Sequence, residues 1–141
     1  MTRKSSIRAV LDTNVMVSAL LFPDSPPGRV LDHITENGSL LVSEATRSEL
    51  IDVFIRPRFD RYLGEDDRLA LLGPLHGTWE AVEITQTITA CRDPKDDKFL
   101  ELAVSGRATH IISGDRDLLA LHPFRGIPVL SPRSFLSEVN A

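Results

Sequence analysis

Asp12 closes the apolar run Ile7–Leu11 and is followed by Thr13 and Asn14. Asp115 closes a second such run, Ile111-Ile112-Ser113-Gly114, and Asp117 stands two residues further on. A carboxylate at the end of a buried strand is well placed for chemistry, because ligands of open α/β sheets bind just beyond the carboxyl ends of the strands. Two carboxylates brought to one rim repel each other unless protons or a cation neutralise them. An all-oxygen set of this kind suits Mg2+ or Mn2+. Each acid also has a plainer explanation. Asp12 could cap a helix, or leave that task to Thr13 or Asn14 and face a site. Asp115 and Asp117 could be a turn and the acidic first turn of a helix.

A third group of acids is Asp93, Asp96 and Asp97. Asp93 before Pro94 reads as an N-cap with proline at the first helical position. In the helix that follows, Phe99, Leu100, Ala103 and Val104 make one apolar stripe. Asp96 lies three and four residues before Phe99 and Leu100, so it shares that stripe. Asp97 is rotated about 100° away and reads as a solvated surface acid. A carboxylate on a buried stripe is costly unless paired or bound to metal. Asp96 is therefore the candidate, with first-turn dipole complementation as the alternative. Glu44, Glu49 and Asp52 share an earlier helix whose stripe is Leu50, Ile51, Phe54 and Ile55. Periodicity does not single out Glu49 there.

The elements that must position these acids follow from apolar period and from turn chemistry. Strands are expected at residues 7–12, 40–42, 81–85, 109–113 and 128–130. Helices are expected from 13 to about 21, then at 29–36, 44–55, 65–76 (broken at Gly73-Pro74), 95–105, 118–121 and 132–139. Residues 22–28, rich in proline, read as a loop, and Asn37-Gly38 as a helix C-cap. Residues 56–62 form a basic loop with two aromatics. Strands alternating with helices imply a three-layer α/β/α domain around a mostly parallel sheet of four or five strands.

The 141 residues suit one domain spanning 1–141 with one core. Hydrophobic residues make up 42% and charged residues 26%, as in ordinary globular chains. No apolar run reaches the length of a membrane span. The basic N-terminus is followed by no apolar segment of signal-peptide type. Cys91 is the only cysteine, which excludes an internal disulfide and a thiolate metal site and favours a reducing, cytoplasmic setting. The net charge of −4 argues against a nucleic-acid coat protein but not against a nuclease that spends acids on metal. His33, His76, His110 and His122 are scattered, and each reads as structural or surface.

Four segments taken together resemble the PIN-domain family of metal-dependent nucleases. They are Val10-Leu11-Asp12-Thr13-Asn14-Val15, Ser43-Glu44-Ala45-Thr46-Arg47-Ser48-Glu49-Leu50, the stretch from Asp93 through Asp96 to Ala103, and Ile112-Ser113-Gly114-Asp115-Arg116-Asp117-Leu118-Leu119. Their order and spacing fit over residues 7–121. Within the family, they look like the toxins of toxin–antitoxin systems. The resemblance implies an acid quartet of Asp12, Glu49, Asp96 and Asp115, with Asp117 additional and Asn14 and Ser113 in support. The double acid Asp96-Asp97 leaves the third position open by one residue.

The same resemblance implies hydrolysis of RNA phosphodiester bonds with one or two Mg2+ or Mn2+ ions, an antitoxin partner and a homodimer. Basic residues around an acidic site would supply phosphate contacts. The candidates are Arg56, Arg58, Arg61, Lys95, Lys98 and Arg116, with Tyr62 nearby and Phe59 as a stacking aromatic. The bland alternative for 56–62 is a solvated loop. Other readings are an RNA-processing nuclease that is not a toxin, an aspartyl phosphoryl-acceptor domain and a non-catalytic binding module. The acceptor reading wants a second acid two residues after Asp12, where Asn14 stands.

Overall fold

The computed structural model describes residues 6–76 and 79–140, the side chains of 74–76 excepted. Residues 1–5 and the His76 side chain lie outside it. Five strands are formed: β1 Ile7–Leu11, β2 Gly38–Val42, β3 Trp79–Ala81, β4 His110–Ile112 and β5 Val129–Leu130. They make one sheet in the order β3-β2-β1-β4-β5, and every ladder is parallel. The helices are α1 Thr13–Leu21, α2 Pro26–Asn37, α3 Glu44–Phe54, α4 Glu65–His76, α5 Asp97–Ser105, α6 Arg116–Leu119 and α7 Pro132–Asn140.

Side chains alternate across a strand, so each buried strand feeds two cores. Ala9, Leu11, Leu40 and Ile112 face one core, completed by residues of α1, α2, α3, α4 and α7. Val10, Leu41, Ile111 and Val129 face the other, completed by α5, α6 and Ile88. This is the expected three-layer α/β/α arrangement, and it explains why β1 is apolar on consecutive residues. Arg8 is the exception in β1. Its guanidinium makes a bidentate pair with Glu80 of β3 at 2.9 and 2.8 Å and donates to the Gly106 carbonyl.

Several boundaries differ from the sequence reading. α2 begins at Pro26, not Arg29: Ser25 caps it and the two prolines fill the first turn, where a missing donor costs nothing. Gly38 is not a left-handed cap. Its φ is −170°, and a Cβ there would stand 2.1 Å from the Ile7 carbonyl oxygen, so glycine serves the close approach of β2 to β1. α4 runs unbroken to His76 because Pro74 falls in its last turn, with little helix beyond it to kink. β3 lies at 79–81 rather than 81–85, since β2 ends at Val42, the partner of Ala81. α6 begins two residues early, at Arg116, because Asp115 caps it.

The chain builds β1, β2 and β3 outwards to one side, then returns to place β4 on the other side of β1. The order therefore reverses between β1 and β4. At such a point the connections diverge to opposite sides and leave a crevice at the strand ends. Asp12 follows β1 and Ser113 follows β4, so the crevice has a carboxylate and a hydroxyl at its floor.

Candidate active site

The register Leu11↔Ile112 brings Asp12 beside Ser113. The Asp12 amide extends the ladder by donating to the Ile112 carbonyl at 3.1 Å. Asp12 Oδ1 accepts from the Val15 amide at 2.9 Å and caps α1, while Oδ2 accepts from Ser113 Oγ. Asp12 thus caps the helix and faces the crevice at once; neither Thr13 nor Asn14 is the cap. Ser113 Oγ in turn accepts from the Asp115 amide at 2.9 Å, and Asp115 Oδ1 accepts from the Asp117 amide at 2.8 Å, capping α6. One hydroxyl therefore ties the two strand-end acids into a single assembly. Burial pushes the Asp12 carboxyl above its ordinary value. The bonds from Ser113 and Val15 counter this only in part, and the charge of Asp115 adds to it.

Glu49 arrives from α3. Its Oε2 accepts from Thr13 Oγ1 at 2.6 Å, and its Oε1 pairs with Lys98 Nζ at 2.5 Å. Burial works against its charge, but Lys98 and Thr13 outweigh that and hold Glu49 below its usual range. Lys98 is thereby engaged inside the acid set rather than free at the rim. Asp96 ends a short 3₁₀ turn, residues 94–96, that Asp93 caps from Oδ1 to the Lys95 amide. Desolvation pushes Asp96 up to about 6, and the neighbouring charges of Asp115, Asp93 and Glu49 contribute.

Asp97 is not the solvated acid that its helical phase suggests. It is 7% exposed and accepts from the amides of Ala90 and Cys91 at 3.1 and 2.7 Å. Burial alone would raise it; those two amides more than offset this and hold it low. The extended segment 82–90 folds back over α5 and buries what a bare helix would expose. The same surroundings push the Cys91 thiol up to about 12, which keeps it protonated and unreactive.

Asp12, Glu49, Asp96 and Asp115 line one polar cleft of about 110 Å³, with Arg56 and Arg58 on its wall. Asn14 lines it too, whereas Asp117 is half-buried in α6 and outside the lining. Arg61 stacks over Tyr62, whose ring packs edge-on against Phe22 at 5.1 Å. Phe59 is half-buried against the first core with Arg58 above its ring, so it is not a free stacking platform. Lys95 and Arg116 are exposed. His33 and His110 pack edge-on to Phe135, and His122 Nδ1 accepts from the Val129 amide, all structural tasks.

Arg68 is the residue that sequence reasoning missed. It is fully buried, donates to the carbonyls of Phe54, Ile55, Arg56 and Leu63, and pairs with Asp60 at 3.0 Å. It closes the C-terminus of α3 and shapes the loop that carries Arg56 and Arg58 to the cleft. A signal was present: Arg68 precedes buried Leu72 by four residues and so lies on the inner stripe of α4.

A parallel α/β/α sheet with converging acids at its switch point defines a class of site that the comparisons make specific. The PIN-domain model matches residues 8–117. The chain belongs to the PIN-domain family. An uncharacterized protein of Methanocaldococcus jannaschii is 34% identical over 145 residues, covering 96% of this chain and 93% of that protein. Among solved structures, the fold is similar to that of PAE2754 from Pyrobaculum aerophilum, with a TM-score of 0.63 at 13% identity over 95% of this chain and 90% of that one. It is also similar to VapBC2 from Rickettsia felis, solved with a DNA fragment from its promoter (0.62, 11%, 89% and 98%). DNA-bound VapBC from Salmonella typhimurium gives 0.57 at 16% identity, with the same coverage. At these identities the structures speak to the fold.

Proposed function

We propose that this chain is a metal-dependent endoribonuclease and the toxin member of a toxin–antitoxin pair. The observation that carries the reading is the convergence of Asp12, Glu49, Asp96 and Asp115 on one cleft at the switch point of the sheet. Membership of the PIN-domain family supports nuclease chemistry. The resemblance to toxins, and the VapBC complexes among the structural neighbours, support an antitoxin partner. The family resemblance likewise supports RNA as substrate and a homodimer.

The residues present fit a hard divalent cation by their chemistry. The donors are carboxylate oxygens, and the negative charge is under-compensated, since Asp96 is held up in part by its acidic neighbours. Among the described residues no group of three or more His, Cys, Asp or Glu side chains is placed to hold a metal ion as the cleft stands, so these acids would have to draw together around one. Asp12, Asp96 and Asp115 would hold Mg2+ or Mn2+, with Glu49 joining on exchange of its Lys98 partner. The bound ion supplies a water of lowered pKa and charge stabilisation at the phosphate. Ser113 keeps Asp12 aimed into the cleft, and Thr13 does the same for Glu49. Arg56 and Arg58 pair with the phosphates on either side of the bond being cut. Glu49, once released from Lys98, would be the carboxylate that accepts the water's proton and loses it to solvent.

The test is cleavage of end-labelled single-stranded RNA by the purified chain. Products are expected with Mg2+ or Mn2+, none with a chelator, and none from Asp12→Asn. RNA that stays intact with metal, or is cut equally by Asp12→Asn, overturns the reading. Growth arrest on expression, relieved by the adjacent short reading frame, tests the toxin assignment.

A further inference from the structure

The acid cleft has a neighbour. On the far side of Asp12 and Asp115 lies a second cleft of about 370 Å³, which shares those two acids and Asn14 with the first. Its other walls are Val15, Gly114, Ser18 (one helical turn beyond Asn14), and Pro27 and Pro132 at the starts of α2 and α7. The two clefts differ in what they can hold. The first, at about 110 Å³, is below the ~300–1,000 Å³ of small-molecule sites and suits a phosphate and an ion. The second is inside that range.

Charge separates them further. Arg56 and Arg58 stand on the first cleft and can pair with phosphate, whereas no lysine or arginine lines the second. Its occupant is neutral and brings donors. The Asn14 amide and the Ser18 hydroxyl have no partner among the described residues, so both are available to a ligand. The proline rings are apolar walls without N–H groups, against which a planar ring packs. We propose that this second cleft binds the nucleoside next to the scissile phosphate, with its base between the prolines and its edge read by Asn14 and Ser18. The assignment rests on the ribonuclease reading and adds a source of sequence preference to it.

The experiment has a cleavage arm and a binding arm. A random-sequence single-stranded RNA pool is cut, and the new ends are sequenced. Wild type is expected to be base-selective at one nucleotide flanking the cut. Ser18→Ala, which removes one hydrogen bond, is expected to relax that selectivity and raise KM about 2–10-fold with kcat kept. Ser18→Leu fills the cleft and is expected to raise KM further. In the binding arm, ribonucleosides at millimolar concentration are titrated into 15N-labelled protein. Shifts are expected at Asn14, Ser18 and Gly114, and their loss in Ser18→Leu. If Ser18→Leu folds and keeps KM and base profile, while Asp12→Asn is dead, the subsite is overturned and the ribonuclease reading stands. If wild type does not cut at all, the ribonuclease reading fails. Absence of nucleoside shifts at those residues overturns the subsite whatever the cleavage arm gives.

Discussion

The acid cleft has two walls of different construction. Asp12, Ser113 and Asp115 follow adjacent parallel strands, and their relative positions are set by the β1–β4 ladder and by helix caps on backbone amides. Glu49 and Asp96 come from α3 and from the turn before α5, and side-chain partners hold Glu49. Asp12 cannot move without breaking the ladder, and Asp115 is tied to Ser113 by its amide and to α6 by its cap. A helix-borne acid can exchange partners, as Glu49 must if it is to leave Lys98 for a metal ion. The site thus joins a rigid wall that sets geometry to an adjustable one that takes up charge.

The largest effect should fall on the rigid wall. Asp12→Asn or Asp115→Asn is expected to lower RNA cleavage about 10²–10³-fold with folding kept, since asparagine can still accept the capping amide. Glu49→Gln is expected to cost less, roughly 10–100-fold. Single-turnover rates rank the three, and a larger loss at Glu49 than at Asp12 would reverse the division between the walls. Next in size is Arg68→Met, which strands four carbonyls and Asp60. It is expected to destabilise by about 3 kcal/mol or more in urea unfolding. A stable Arg68→Met protein would show that the loop bearing Arg56 and Arg58 holds itself.

How far each wall could be read from the sequence follows the same division. Asp12 and Asp115 were legible because an apolar run ending in a carboxylate points to one rim of a parallel sheet. The five strands and their layers came from the same alternation. The helical phase chose Asp96 on a premise that fails: Asp96 ends a 3₁₀ turn outside α5, and the buried acid of the pair is Asp97. Glu49 was not legible, because the partners that hold it, Thr13 and Lys98, are 36 and 49 residues away. It entered through the family resemblance alone. Asp97 was misread because local phase cannot reveal a distant segment that folds over it. Arg68 was missed because a charged residue in an acidic helix looks exposed until the carbonyls it serves are known. Local periodicity reports what one element does to its own faces; pairing between elements lies outside it.

Asp96 and Asp97, adjacent in the chain, sharpen the comparison at smaller scale. Asp97→Ala leaves the Ala90 and Cys91 amides without an acceptor and is expected to cost about 1–3 kcal/mol. Asp97→Asn, which still offers an oxygen, should cost less. Thermal unfolding of the two variants checks the order, and metal binding should survive in both.

Asp96→Asn should act in the opposite direction and more weakly. The folded chain holds a proton on Asp96 up to about pH 6, whereas the unfolded chain loses it near 3.8. Between those values the folded state binds more protons, so stability falls as pH rises through the window. Asp12 is raised as well and adds to the same slope. Glu49 and Asp97 are lowered, so their stabilisation is present above their ordinary values and is lost only as pH falls below about 4.5 and 3.8. The two pairs therefore act in different windows and can be told apart. At pH 7, Asp96→Asn is expected to stabilise by about 1 kcal/mol, well under the full shift, because the half-exposed carboxyl is screened by water. Urea unfolding from pH 4 to 7 measures it, and parallel wild-type and variant curves would sink the assignment. Mn2+ should flatten the wild-type slope, because a bound ion favours the ionised carboxylates, and should do so less in Asp96→Asn, which lacks one of the proposed ligands.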